Sequence, residues 1–214
     1  MATDLVEIDP ESPQPEVLER AATAIRCGQV VAIPTDALYT LVADPYNLRA
    51  VTQVFKAKGR EPHNSLPILI RDTMMAEELA NELNSRFFLL ARRFWPGPLT
   101  IIVKADPKLP LKVTANTGNV ALRVPSAEVP LAIIRSAGLP ITATSANLHG
   151  EVECTTAMEV RDQLGDRLSI IVDGGPCPGV MPSTIVDLTT EGTWRLLRQG
   201  AIPEEQIIEL LGQE

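Results

Sequence analysis

The chain has 214 residues, of which 45% are hydrophobic and 21% are charged. This length and composition are ordinary for a globular protein with one large core. The formal net charge of −8 disfavours a long basic surface of the kind that grips nucleic acid, although a local basic pocket is compatible with it.

The cysteines and histidines are few and scattered. Cys27, Cys154 and Cys177 form no CxxC pair, and the histidines are His63 and His149. This pattern disfavours a zinc site and a disulfide framework, so we predict no protein-bound metal and a reducing compartment. The N-terminus lacks the features of a signal peptide, and no apolar run approaches the roughly 20 residues that span a bilayer. We expect a cytoplasmic protein without membrane contact.

Helical and strand-like patterns alternate along the chain. Apolar residues at a spacing of three and four predict helices, and short apolar runs between turn residues predict strands. In chain order we predict a helix at 17–25, a strand at 30–33, a helix at 48–58, a strand at 66–70, a helix at 87–95, strands at 99–103 and 120–124, a helix at 129–136, a strand at 141–145, a helix at 157–164, strands at 168–172, 183–188 and 194–198, and a helix at 204–211.

Some of these strands follow one another without an intervening helix. Such pairs favour a mixed parallel and antiparallel sheet in an α/β fold over a purely parallel one. We find no repeat and no convincing linker. The sequence therefore predicts a single domain over 1–214, with its core at about 10–205.

Polar residues gather at the ends of predicted strands, where open α/β sheets place their ligands. Thr35 and Asp36 follow the first strand, and they fit either a site for an anionic oxygen or an ordinary turn. Lys58 and Arg60 flank Gly59 at the end of a predicted helix. Two such cations can bind a phosphate chain, or they can simply complement the helix dipole.

Later segments add further candidates. Ser145 and Asn147 follow another strand, and they suit either a ligand site or a helix N-cap. Arg123 lies in an otherwise apolar strand and needs an anionic partner, which a salt bridge or a bound carboxylate would supply. Ser183 and Arg198 lie in the last two strands, downstream of a Gly-Gly pair that forms either an anion-binding concavity or a tight loop.

The chain contains no P-loop, no Rossmann glycine motif and no Ser-His-Asp signature. Cations and hydroxyl groups are plentiful among the candidates, whereas candidate bases and metal ligands are few. These features together indicate a site that binds a polyanion and acts by positioning and charge stabilisation.

Eight segments in order resemble the YrdC/TsaC family of threonylcarbamoyl-adenylate synthases. They are VVAIPTDALY, FKAKGR, FWPGPLTIIV, VALRVPS, PITATSANLHG, IIVDGG, PSTIVDLT and LLRQGAI. They span roughly residues 10 to 205, and the Lys-x-Arg and Ser-x-Asn signature of the family corresponds to Lys58, Arg60, Ser145 and Asn147.

This resemblance implies a twisted mixed sheet with flanking helices around a basic cavity. It implies that the enzyme condenses L-threonine, bicarbonate and ATP to threonylcarbamoyl-AMP and pyrophosphate, with Mg²⁺ carried in by ATP. A separate threonylcarbamoyl-transferase complex would then modify an adenosine next to the tRNA anticodon. From the length we expect the short form of the family, without the extra C-terminal domain of some relatives.

The resemblance also implies roles for individual residues. Lys58 and Arg60 would act on the phosphates during catalysis. The threonine would be bound by Thr35, Arg123 and Ser183. The nucleotide would be bound by Lys58, Arg60, Ser145, Asn147 and Arg198. No residue is assigned as general base, and Asp36 in particular is not.

The first motif departs from the usual family pattern, because Ala37 replaces a threonine while Thr40 and Val42 replace two glycines. The pocket floor would differ if those glycines adopt positive φ angles or allow close ligand approach. Two alternatives therefore remain. One is a non-catalytic RNA-binding or ribosome-assembly module with weak tRNA or RNA contact, and the other is a paralogue with a different substrate.

Overall fold

The structure is a computed structural model, and it describes residues 3–59, 64–179 and 181–212. The α-helices in these ranges are α1 Pro15–Arg26, α2 Leu48–Lys58, α3 Thr73–Leu79, α4 Ser85–Phe94, α5 Glu128–Ala137, α6 Ala157–Leu164 and α7 Glu204–Leu211. The strands are β1 Asp4–Glu7, β2 Val31–Ile33, β3 Thr40–Val42, β4 Ile68–Leu69, β5 Leu99–Lys104, β6 Asn119–Arg123, β7 Ile141–Thr142, β8 Thr144–Ser145, β9 Ile170–Asp173, β10 Thr184–Asp187 and β11 Arg195–Arg198.

The strands form two sheets, and both are mixed. The five-stranded sheet has the order β1-β9-β2-β3-β8, and the six-stranded sheet has the order β11-β10-β5-β6-β4-β7. In the first, β2 is parallel to β9 and antiparallel to β3; in the second, β5 is parallel to β10 and antiparallel to β6. The predicted mixed α/β class is confirmed, with the strands distributed over two sheets.

The predicted strand at 141–145 is corrected by the structure. Its first half, β7, belongs to the six-stranded sheet, and its second half, β8, belongs to the five-stranded sheet. The backbone crosses at Ala143, whose N–H donates to the Pro67 carbonyl at 2.7 Å, while the Thr142 N–H donates to the Ala43 carbonyl at 2.9 Å. These five residues therefore join the two sheets.

Three elements were not predicted from the sequence: β1, β3 and α3. Strand β1 lies at a sheet edge with three of its four residues exposed, so it carries no buried apolar run. Strand β3 is three residues long and is separated from the turn at 35–38 by Tyr39 alone. Such short elements give little periodicity for a sequence argument to detect.

The ends of α2 fix the position of Lys58, its last residue. The Asn47 side chain caps the N-terminus by accepting hydrogen bonds from the N–H groups of Arg49 and Ala50. Gly59 ends the helix in the left-handed conformation with φ 65°, which glycine adopts without steric cost. The predicted bounds of this helix are confirmed.

Apolar residues from both sheets and from the helices pack into one hydrophobic cluster. Large members that are fully buried include Trp194, Tyr39, Phe87 and Ile25. Within the described ranges, no helix has both the length and the apolarity that crossing a membrane requires.

Two buried threonines provide a matched stability test. The Thr184 hydroxyl donates to the Ile202 carbonyl at 2.7 Å and accepts from the N–H groups of Gly200 and Ile202. We expect Thr184→Val to lower the free energy of unfolding by about 3 kcal/mol, because buried backbone groups lose their partner. Urea unfolding followed by tryptophan fluorescence measures the change.

Thr142→Val is the control. The Thr142 hydroxyl is buried and has no hydrogen-bond partner among the described residues. Replacing it with a methyl group should leave the free energy of unfolding unchanged or raise it by up to about 1 kcal/mol. Equal destabilisation by the two substitutions would show that the hydrogen bonds of Thr184 do not account for its effect.

Candidate functional site

The turn at 35–38 connects β2 to β3 and is stabilised by Thr35. The Thr35 hydroxyl donates to the Leu38 carbonyl at 2.7 Å and accepts from the N–H groups of Ala37 at 3.2 Å and Leu38 at 3.3 Å. The hydroxyl therefore shapes its own turn, the ordinary role that was one of the two sequence interpretations.

The adjacent Asp36 links this turn to the six-stranded sheet. The Arg123 Nη2 donates to Asp36 Oδ2 at 2.5 Å, and the Arg123 Nε donates to the Gly97 carbonyl at 3.0 Å. The Ser126 hydroxyl donates to the same carboxylate oxygen at 2.6 Å. Of the two partners predicted for Arg123, a salt bridge or a ligand carboxylate, the structure supplies the salt bridge.

A chain of hydrogen bonds connects three polar residues on the six-stranded sheet. The Thr100 and Ser183 hydroxyls are 2.8 Å apart. The Arg198 Nη2 donates to the Ser183 hydroxyl at 3.1 Å, and its Nε and Nη2 both donate to the Ser183 carbonyl. Ser183 and Arg198, which the sequence placed together in the last two predicted strands, are therefore in direct contact.

Strand register places Arg123 on the same face as this chain of residues. Ile101 of β5 is paired with Leu122 of β6, so Thr100 and Arg123 are the next pair along these antiparallel strands. Directly opposite residues of an antiparallel pair project to the same face of a sheet. Arg123, Thr100, Ser183 and Arg198 thus form a continuous polar row across β6, β5 and the β10–β11 pair.

The charges along this row interact. Burial lowers the pKa of Arg198, and the positive charge of Arg123 lowers it further, while Glu153 acts in the opposite direction. Two guanidinium groups are therefore within electrostatic range of each other, although the whole chain carries a net charge of −8. The carboxylates of Asp36 and Glu153 lie within range of these cations, Asp36 of Arg123 and Glu153 of Arg198.

Lys58 is the centre of a second cluster, and it is only 4% exposed. Its ammonium group donates to the Ser145 carbonyl at 2.5 Å, the Asn147 carbonyl at 3.0 Å and the Asn147 side-chain oxygen at 2.9 Å. The Ser145 hydroxyl is 3.4 Å away. A buried ammonium requires such acceptors, because an unpaired buried charge is very costly.

The same loop is held at further points. The Asn147 amide nitrogen donates to the Glu151 carbonyl at 2.7 Å, and the His149 N–H donates to the Lys58 carbonyl at 2.9 Å. Several hydrogen bonds therefore join the end of α2 to the segment at 145–151. The predicted grouping of Lys58, Ser145 and Asn147 is present in the structure.

Strand β3 brings this cluster next to the turn at 35–38. Thr40 of β3 is paired with Ser145 of β8, and the Ala146 N–H donates to the Tyr39 carbonyl at 2.8 Å. This pattern makes Thr40 and Ser145 a non-hydrogen-bonded pair, whose side chains approach closely. Asp36 and Thr40 thus connect the two clusters through one short segment of chain.

The departures from the first motif are compatible with this geometry. Thr40 and Val42 lie in extended strand conformation, so neither position uses a positive φ angle here. The Thr40 side chain instead occupies space beside Ser145 that a glycine would leave open. The consequence of these replacements is therefore steric.

The Gly-Gly pair adopts a tight loop, which was the simpler interpretation. The Gly174 N–H donates to the Tyr39 hydroxyl at 3.3 Å, and the Gly175 N–H donates to Asp173 Oδ1 at 3.0 Å. The Tyr39 hydroxyl donates to the Gly175 carbonyl at 2.8 Å. Burial and the neighbouring Asp173 raise the pKa of Tyr39, so the phenol stays protonated and structural.

The structure thus places six of the eight predicted site residues in two clusters joined by the segment at 36–40. One contains Lys58, Ser145 and Asn147, and the other contains Arg123, Ser183 and Arg198. The seventh, Thr35, lies in the adjoining turn and makes hydrogen bonds within it. The eighth, Arg60, lies outside the described residues. Sequence reasoning did not include Thr100, although a hydroxyl inside the apolar run LTIIV was a detectable signal.

A family model described as telomere recombination, the Sua5/YciO/YrdC model, matches residues 23–200. The chain belongs to the Sua5/YciO/YrdC family. A protein named threonylcarbamoyl-AMP synthase from Pyrococcus abyssi is 38% identical over 90% of this chain and 56% of its own length. One of the same name from Bacillus subtilis is 39% identical over 96% of this chain and 59% of its own length.

The chain therefore spans less than two thirds of these two relatives. It covers 93% of a putative threonylcarbamoyl-AMP synthase from Mycobacterium tuberculosis, at 36% identity. Among solved structures, that of P. abyssi Sua5 complexed with L-threonine has a TM-score of 0.93 at 36% identity, over 98% of this chain and 61% of that chain. Escherichia coli YciO has a TM-score of 0.83 at 25% identity, over 93% of this chain and 96% of that chain.

The three cysteines provide a test of the packing around the site. Cys27 is exposed, whereas Cys154 and Cys177 are buried. Burial, with a contribution from Glu159, raises the pKa of the Cys154 thiol to about 11, and burial also raises the pKa of Cys177. Because the thiolate is the reactive form, about one Cys154 in a thousand is ionised at pH 8.

We therefore expect iodoacetamide at pH 8 to alkylate Cys27 at least about 100-fold faster than Cys154. Peptide mass spectrometry over a time course measures the three rates. In denaturant the three cysteines should react at similar rates. Rapid labelling of Cys154 in the folded protein would show that the packing next to Lys58 is open.

Proposed function

We propose that this chain is a threonylcarbamoyl-AMP synthase, which condenses L-threonine, bicarbonate and ATP and releases pyrophosphate. The observation that carries the proposal is the pair of cationic clusters joined by the segment at 36–40. One cluster suits a phosphate chain, and the other suits a carboxylate. The names of the relatives support the same assignment.

In this proposal Lys58 acts at the nucleotide phosphates. Its ammonium already interacts with oxygen atoms of Ser145 and Asn147, and a phosphate oxygen would take the place of one of them. The Ser145 hydroxyl and the Asn147 amide would contact the nucleotide from the same loop. Arg60 would supply a second cation, and this role stays a prediction.

Threonine would bind near the polar row on the six-stranded sheet. The Arg123 guanidinium would pair with the threonine carboxylate, and Ser183 and Thr35 would help to seat the amino acid. Arg198 contacts Ser183 directly and lies within electrostatic range of Arg123. Arg198 would therefore neutralise the phosphate end of the substrate beside the bound threonine.

The reaction needs no protein nucleophile. Threonine carboxylated on its nitrogen would attack the α-phosphorus of ATP through a carbamate oxygen, forming the P–O bond as the bond to pyrophosphate breaks. Positioning and charge stabilisation dominate the catalysis of such phosphoryl-group chemistry. In this proposal Mg²⁺ enters as a complex with ATP.

The product would be an activated threonylcarbamoyl group. We propose that a separate transferase complex uses it to form threonylcarbamoyladenosine next to the anticodon of tRNA. We propose that the protein carries out this reaction in the cytoplasm.

The central test is the synthesis itself. Purified protein with ATP, Mg²⁺, bicarbonate and labelled threonine should yield pyrophosphate and a threonine-labelled adenylate. We expect Lys58→Ala to lower the rate of product formation by at least about 100-fold, since it removes a preorganised cation from the phosphate site. Chromatography of the labelled product gives the rate.

Lys56→Ala is the matched control, because Lys56 lies on the same helix but is exposed. Its rate should equal that of the wild-type protein. Circular dichroism checks that both variants fold. Folded wild-type protein that forms no threonine-dependent adenylate would refute the proposed function and favour the RNA-binding module or a paralogue with another substrate.

The role of Arg198 is tested against Arg195 on the same strand. Arg195 pairs with Asp187 and has a side chain that is 59% exposed. We expect Arg198→Ala to raise the KM for ATP about tenfold, because a charge-assisted contact is lost. Arg195→Ala should change it less than about twofold, because the Arg195 guanidinium pairs with Asp187, which is not one of the candidate site residues.

Steady-state kinetics with ATP varied at saturating threonine measures both KM values. A similar increase in the two variants would show that only the overall charge of β11 matters. An unchanged KM in Arg198→Ala would remove Arg198 from the nucleotide site.

A further inference from the structure

The hydrogen bonds of the Asp36 carboxylate are all on one oxygen. Asp36 Oδ2 accepts from Arg123 Nη2 at 2.5 Å, from the Ser126 hydroxyl at 2.6 Å and from the Ser126 N–H at 3.3 Å. Asp36 Oδ1 is buried and has no hydrogen-bond partner among the described residues. The side chains of Asp36 and Arg123 are 15% and 14% exposed.

This arrangement is unsuited to a general base. A base must present a lone pair within hydrogen-bond distance of the proton that it removes. Oδ2 is surrounded by three donors, and Oδ1 is enclosed by protein atoms. Neither oxygen of Asp36 faces a space that a substrate amine could occupy.

The same contacts determine the orientation of Arg123. Its Nη2 is held by Asp36 and its Nε by the Gly97 carbonyl, which belong to separate segments of the chain. A guanidinium group is planar, so two fixed contacts define the plane and the direction of the remaining nitrogen. That nitrogen, Nη1, makes no hydrogen bond to the described residues.

We propose that Asp36 is a positioning residue that acts through Arg123, orienting the guanidinium so that Nη1 meets the carboxylate of the amino-acid substrate. This inference rests on the proposed function, because it deepens the assignment of Arg123 to threonine. Ser126, two residues before α5, supports Asp36 through its hydrogen bonds to Oδ2. Asp36 itself does not contact the substrate.

The test is a double-mutant cycle on threonine binding. Asp36→Asn should raise the KM for threonine about tenfold while kcat changes less than about threefold, because orientation of a binding group is lost and the chemistry is not. Arg123→Ala should raise the same KM further. Adding Asp36→Asn to Arg123→Ala should then have no additional effect, since the pathway through Arg123 is already absent.

Two rival roles give different results. If Asp36 were a general base, Asp36→Asn would lower kcat by the same factor with and without Arg123→Ala. The substitution would also remove the acidic limb from the pH profile. A purely structural link between the sheets would raise the KM values for ATP and threonine together and lower the melting temperature in proportion. Either result would overturn the proposal.

Ser126→Ala keeps the test informative if Asp36→Asn does not fold. This variant removes one donor from Oδ2 but retains the ion pair. We expect the KM for threonine to rise about threefold at unchanged kcat, as for one modest hydrogen bond. An unchanged KM would contradict the proposed role of the carboxylate.

A failure of the proposed function can be distinguished from a failure of the positioning role. Wild-type protein that forms no threonylcarbamoyl-AMP refutes that function, whatever the variants do. Threonine binding measured by isothermal titration calorimetry then repeats the cycle without turnover. Active wild-type protein with additive effects of Asp36→Asn and Arg123→Ala refutes only the positioning role, and wild-type protein that does not bind threonine refutes both.

Discussion

The crossing of the backbone at Ala143 is the constraint on which the arrangement of the site depends. Strand β7 completes the edge of one sheet and β8 completes the edge of the other, with a single residue between them. The backbone amides at this crossing donate to carbonyls of both neighbouring segments. Ser145 is thereby held beside Thr40 at a sheet edge, within reach of Lys58 at the end of α2.

The second constraint is electrostatic. An acidic protein concentrates cations at one place by burying them partly and by giving each a protein acceptor. Arg123 has the Asp36 carboxylate, Arg198 has the Ser183 carbonyl, and Lys58 has the carbonyls of its neighbouring loop. Partial burial strengthens the attraction for an anion relative to a fully hydrated surface, where screening by salt is greater.

Much of the fold was predictable because amphipathic helices and buried strands leave clear periodicities. Helix α2 matches its predicted bounds, whereas the segment at 141–145 was predicted as one strand. No local pattern could reveal the crossing there, because both halves are apolar or small and both are extended. The sheet to which each half belongs is decided by tertiary packing.

The candidate site was predictable to a different degree. Residue types and spacing left each polar cluster with two interpretations, and family resemblance selected among them. Neither residue spacing nor family resemblance predicted the pairing of Asp36 with Arg123. The two residues are 87 positions apart and meet only when the two sheets come together. The Thr100 hydroxyl was visible within its apolar run, but its partner Ser183, next to strand β10, could not be read from the sequence.

The contacts of Lys58 have a consequence for how the site is organised before a ligand binds. In the proposed function, the carbonyl and amide oxygens around its ammonium would occupy positions that substrate oxygens take on binding. The cation is therefore held in a defined place before any nucleotide arrives. If ligand oxygens replaced the protein oxygens that contact Lys58, the contacts between the loop at 145–151 and the C-terminal end of α2 would change. Ligand binding would thereby affect both segments.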